Sequence, residues 1–175
     1  MEFVEVLTHR RSVRAYKPQP VEENKLKQLF EAANMAPSAG NLQAYNVQVV
    51  RDQAKKDALA KAAHGQGFIA QAPVCLVFSA DPKRSATKYG KRGTELYSVQ
   101  DATIAGAFAM LAAVNLGLAT VWVGDFDEKK VQQVLGLKSA HPVAMFSLGY
   151  AAEQPEASPR RAIEEIFQGD FPQTD

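Results

Sequence analysis

One cysteine, Cys75, is the whole thiol complement of this 175-residue chain. A lone thiol cannot close an internal disulfide, and it excludes Cys-based zinc and iron–sulfur sites. Charge of one sign is also missing. Twenty Lys and Arg stand against 19 Asp and Glu, a formal net charge of +1. Such a chain lacks the broad basic field of a non-specific nucleic-acid binder, so no nucleic-acid partner is expected. Long hydrophobic runs are scarce. The one candidate, 102–119, is mostly Ala and Gly and carries Thr103 and Asn115. A spanning helix needs about 20 strongly apolar residues. The first residues have no basic stretch followed by a long apolar one, so no signal peptide is expected. The expectation is a cytoplasmic protein with no membrane partner.

Motifs for side-chain chemistry are missing too. No G-x-G-x-x-G follows a strand, no P-loop lysine motif occurs, and no G-x-S-x-G elbow is present. His9, His64 and His141 are scattered and form no H-x-x-x-H pair. Cys75 sits in an apolar run, where thiols are inert small hydrophobes. A hydrolase working through its own nucleophile and a metalloenzyme are both poorly supported, and no metal site is expected.

What is present is ordinary globular material, with 46% hydrophobic and 22% charged residues. One domain over 1–175 is expected. Apolar spacing predicts helices over 2–9, 21–36, 53–63, 98–116 and 127–135, and strands over 45–50, 74–78, 119–123 and 143–148. Ser98 followed by Asp101 reads as a loose capping box. The polar stretch 81–94 reads as a mobile surface loop. The tail from 151 carries apolar residues with no core of its own, as tails that pack on a partner subunit do. Helices on both faces of the sheet make an α plus β layered class.

Four features could carry function. Arg10-Arg11-Ser12-Val13-Arg14 offers three guanidiniums and a hydroxyl, a set that can hold a phosphate. Its bland alternative is a basic helix end answering the helix dipole. The loop 37–43 presents Asn41 and Gln43, whose amides can read a heterocycle edge or simply bond backbone. Gly124-Asp125 follows a buried strand, and a glycine there lets backbone approach a planar ligand. Pro159-Arg160-Arg161 is a second basic pair.

Taken together and in this order, these elements resemble the FMN-dependent nitroreductase family, specifically its short, single-domain members. Ala36-Pro37-Ser38, Ala72-Pro73, Asp101 opening the Ala-rich helix, and Gly117-Leu118 before Trp122-Val123-Gly124 add to the match. The resemblance implies an α+β three-layer sandwich with a mixed, mostly antiparallel sheet flanked by helices. It implies a homodimer with a C-terminal tail embracing the partner and FMN at the interface. Arg10, Arg11 and Ser12, with Arg160 or Arg161, would serve the FMN phosphate and ribityl chain. Arg14 would lie near N1 and O2 of the ring. Pro37, Ser38 and Ala39 would come from the other subunit, with Asn41 and Gln43 nearby. Gly124 and Asp125 would turn backbone N–H toward N5 and O4, and Gln66 would meet the pyrimidine edge. No protein side chain would be catalytic, because the flavin N5 does the chemistry. NADH or NADPH would be the donor and an electron-poor small molecule, a nitroaromatic or quinone, the acceptor, in a ping-pong cycle. Dehalogenation, azoline oxidation, flavin destruction and a non-catalytic flavin-binding dimer are the alternatives on the same fold. Two departures stand out: Ala44-Tyr45 where Pro-Trp is frequent, and Asp125 where a second small residue is frequent.

Overall fold

Four strands pair edge to edge in the order β1-β2-β4-β3, every pairing antiparallel. The computed structural model describes residues 1–167 and 169. The strands are β1 (Tyr45–Val50), β2 (Val74–Ala80), β3 (Ala119–Val123) and β4 (His141–Gly149). The helices are α1 (Phe3–His9), α2 (Glu23–Asn34), α3 (Gln53–Ala62), α4 (Phe68–Gln71), α5 (Pro82–Arg92), α6 (Ser98–Asn115) and α7 (Glu128–Leu135). One parallel bridge, Ser12 to Thr120, joins the stretch after α1 to β3. The sheet is thereby mixed but overwhelmingly antiparallel.

The two-residue period of a strand sorts the core. Val74, Leu76 and Phe78 of β2 and Ala144, Phe146 and Leu148 of β4 meet α2 and α6 on one face. Cys75, Val77, Val121, Val123 and Met145 meet α3, α4 and α7 on the other. All seven residues of β2 are buried, as expected of a strand covered on both faces. Phe146 is the hinge of the first cluster, with Phe78 at 4.9 Å and Trp122 at 5.0 Å between ring centroids. The small residues of α6 let it approach this aromatic stack. A Cβ on Gly106 would come within 3.0 Å of Phe146 Cζ and 3.2 Å of Trp122.

Two local expectations are overturned. The 81–94 stretch is not a loop. Asp81 caps Arg84 N–H, Pro82 occupies the first turn, and α5 follows. The chain kinks at Gly90 and closes against α6 through a wide turn, 93–97. Gly93 is pressed onto α5, where a Cβ would stand 2.5 Å from the Ser85 carbonyl oxygen. The Ser98–Asp101 capping box is also absent. Ser98 Oγ donates to the Thr94 carbonyl, and Asp101 turns away from its own helix end. Because the preceding turn is already helical, α6 has no free N–H groups for a box to satisfy.

α6 is the apolar run that composition singled out. Ala102, Ala105, Ala109 and Ala113 are wholly buried, the last three against the sheet and α2. Its other side leaves Val99 and Phe108 exposed.

Candidate functional site

The basic segment after α1 builds a cationic hollow of about 570 Å³. Arg10, Arg11, Ser12, Arg14 and Arg160 line it, with residues 155–158 forming the far wall. Within it the arginines divide. Arg11 takes the bland role, its guanidinium donating to the Thr8 carbonyl at 2.5 Å and the Arg10 carbonyl at 3.0 Å. It closes the C-terminal end of α1. Arg161 turns to Glu165, at 3.1 Å to Oε2 and 2.9 Å to the backbone oxygen. Arg10 and Arg160 have no carboxylate within ion-pair distance among the described residues. Burial, and then the charges of Arg160 and Arg11, hold the Arg10 guanidinium below the usual arginine range. Glu156 also lines the hollow but pairs with neither arginine; clustered cations left without an ion-pair partner suit an anion.

Ser12 is fixed by its bridge to Thr120, and Val13 N–H donates to the Thr120 carbonyl at 3.1 Å. Arg14 N–H donates to Glu153 Oε1 at 2.5 Å, which ties the tail to this segment. The Arg14 guanidinium lies 6.0 Å from the Phe68 ring centroid. Two residues before Phe68, Gln66 Nε2 donates to the Asp125 carbonyl at 3.3 Å. Arg14, Gln66, Gly124 and Asp125 are therefore linked around the end of β3. The Asp125 carboxylate points to His64, at 3.4 Å.

The 37–43 loop stands elsewhere. Pro37, Ser38 and Ala39 line a separate hollow of about 480 Å³ at the start of α6, with Tyr97, Asp101 and Ile104 among its other walls. It shares no lining residue with the arginine hollow. The loop set adjoins the start of α6, while Ser12 of the arginine set is bridged to Thr120, five residues beyond its end; α6 has 18 residues and is about 27 Å long at 1.5 Å per residue.

Backbone conformation makes this loop special. Gly40 (φ 56°), Asn41 (φ 56°) and Gln43 (φ 50°) are all left-handed. A side-chain-bearing residue there costs of order 1 kcal/mol, and such strain gathers at functional sites. Ser38 Oγ accepts from Gln43 N–H at 3.0 Å. The buried Asp101 carboxylate accepts from Ala39 N–H at 2.9 Å and Ala44 N–H at 3.2 Å. Among the described residues the side-chain amides of Asn41 and Gln43 have no hydrogen-bond partner.

Asp101, Glu153 and Phe68 were not legible as site residues. Asp101 meets partners 57 and 62 positions earlier, and its spacing from Ser98 mimics a cap.

A sequence model of the nitroreductase family matches residues 7–68 and 65–150. The chain belongs to the nitroreductase family. An NADH dehydrogenase of Thermus thermophilus is 34% identical, with 90% of each chain covered. An FMN reductase [NAD(P)H] of Bacillus subtilis is 34% identical over 94% of this chain and 72% of its own. Among solved structures, a hypothetical oxidoreductase from Bacillus subtilis superposes with a TM-score of 0.90 at 31% identity, over 98% of this chain and 74% of that one. The NADPH:FMN oxidoreductase of Vibrio harveyi, complexed with NAD+, gives 0.88 at 26% identity, over 98% and 78%. These likenesses agree with the fold class and family expected from the sequence.

Proposed function

We propose that this nitroreductase-family protein is an NAD(P)H-dependent FMN oxidoreductase, active as a homodimer whose site takes residues from both copies. Relatives named as an FMN reductase, an NADH dehydrogenase and an NADPH nitroreductase support the activity. The observation that carries the reading is the meeting of Arg10 and Arg160 in one hollow, neither ion-paired to a carboxylate among the described residues. That donor set fits the FMN phosphate, whose two negative charges would offset the mutual repulsion.

When bound, FMN supplies a reversible two-electron carrier that neither Cys75 nor any histidine of this chain could replace. Arg10 and Arg160 hold the phosphate, and Ser12 donates along the ribityl side. Arg14 sets positive charge at the N1 and O2 edge. Gly124 and Asp125 offer backbone N–H to the opposite edge. The carboxylate of Asp125, engaged by His64, stays off the ring. Pro37, Ser38 and Ala39 of the second copy close the ring face, and Asn41 and Gln43 give free amides for the pyrimidine or the substrate. Exposed apolar residues on one copy support the dimer: Val99 and Phe108 on α6, and Ile163, Ile166 and Phe167 in the tail. In this reading donor and acceptor would meet the same flavin face in turn, a ping-pong order. Electron-poor quinones and nitroaromatics suit such a hollow, and a lone buried thiol suits the cytoplasm.

The test is the visible spectrum of the purified protein during anaerobic addition of NADH and then NADPH. The flavin band should bleach and return with a quinone. A protein that takes up no FMN would overturn the reading.

A further inference from the structure

Helix α5 carries cations that FMN binding leaves unused. Lys83, Arg84, Lys88, Lys91 and Arg92 occur with no acidic residue among them. Lys91 reaches Glu95 at 3.7 Å, and Arg84 Nε donates to the Leu42 carbonyl. Lys88 and Arg92 have no carboxylate within ion-pair distance among the described residues.

Both are held at the rim of the 37–43 loop. Lys88 Nζ and the Tyr89 hydroxyl crowd Gly40, at 2.7 Å and 2.5 Å from where a Cβ would stand. Tyr89 meets Tyr97 edge-on at 5.0 Å. Arg92 lies 5.3 Å over the Tyr97 ring and donates to its hydroxyl at 2.9 Å. Tyr97 in turn lines the hollow shared with Pro37, Ser38 and Ala39. Two cations without an ion-pair partner among the described residues thus flank a tyrosine pair beside the loop proposed above to face the FMN ring. A helix end answering its dipole would not require Lys88 folded onto Gly40.

We infer that Lys88 and Arg92 dock phosphate groups of the reducing dinucleotide, its pyrophosphate or the 2′-phosphate of NADPH. This rests on the oxidoreductase reading above. Arginine on an aromatic ring is pre-ordered for an anion, and an ammonium supplies the second point charge. The pair would hold the donor's phosphates while its nicotinamide enters the hollow.

The test compares wild type, Lys88→Ala/Arg92→Ala and the milder Lys88→Gln, with Lys83→Ala as a control on the same helix. Steady-state KM is measured for NADH and NADPH. Binding of adenosine 2′,5′-bisphosphate and of ADP-ribose is measured by calorimetry. The double variant should raise donor KM about tenfold, the effect of losing exposed charge-assisted contacts, with FMN content unchanged. A loss confined to NADPH and the bisphosphate assigns the 2′-phosphate. An equal loss for both donors and for ADP-ribose assigns the pyrophosphate. Unchanged KM values and unchanged probe binding overturn the inference. Failure of the oxidoreductase reading is separately visible, because wild type would then hold no flavin while calorimetry still reports on the cations.

Discussion

Asp101 Oδ1 accepts the backbone N–H of Ala39 at 2.9 Å, so a carboxylate of the central helix anchors the loop beside the proposed FMN ring. Its second oxygen takes Ala44 N–H. Three left-handed residues lie between these two anchors, and Asp101 is buried. Asp101→Ala should cost about 2–4 kcal/mol, since it leaves two N–H groups without their acceptor. Asp101→Asn, which keeps one acceptor oxygen, should cost less. Denaturant melts and FMN titration check this. Unchanged stability and unchanged FMN affinity in Asp101→Ala would remove Asp101 from this role.

Arg160→Ala should weaken FMN binding by about tenfold to a hundredfold, the worth of a charged hydrogen bond. Arg161→Ala should change it little, because Arg161 is engaged by Glu165. The FMN-free protein should lose no stability on Arg160→Ala, since Arg160 repels Arg10 and has no ion-pair partner among the described residues. Flavin fluorescence titration with parallel thermal melts distinguishes the two arginines.

The corner between α5 and α6 depends on Gly93. Gly93→Ala would force a methyl group onto the Ser85 backbone, and about 2–3 kcal/mol should be lost. Gly136→Ala meets open space but a φ of 67°, so only about 1 kcal/mol should go. Equal losses at both sites would show that the α5 contact is slack.

Burial pushes the Cys75 thiol up to about 12. At pH 8 it should hold almost no thiolate and so no nucleophile. A colorimetric thiol reagent should find no reactive group in the native protein and one after denaturation. Rapid native labelling would place Cys75 nearer solvent than its full burial implies.

Much of the architecture was written in periodicity. The alternation of Val47 and Val49, the continuous apolar run 74–78 and the Ala-rich body of α6 gave strands and helix to within about two residues. The polar 81–94 stretch was not readable. Its helix is fixed by Asp81 at the cap and by Gly93 against Ser85, a steric fit that composition does not carry. The site was half legible. Arg10, Ser12 and Arg14 lie together in sequence and meet in space with Arg160. Asp101 was hidden, because its partners come from another part of the chain and its local spacing imitates a cap. The donors Lys88 and Arg92 were visible only as charge, without the tyrosines that orient them.

The separation of the arginine hollow from the 37–43 loop along α6 makes a two-copy site the central claim. The direct test is subunit complementation. Arg10→Ala/Arg160→Ala chains are co-expressed with Ala39→Trp chains, each variant alone retaining little FMN. Random pairing places one intact site in each mixed dimer, so about a quarter of wild-type FMN binding and turnover should return. Recovery of none, with mixed dimers present, would contradict the claim and put the whole site within one chain.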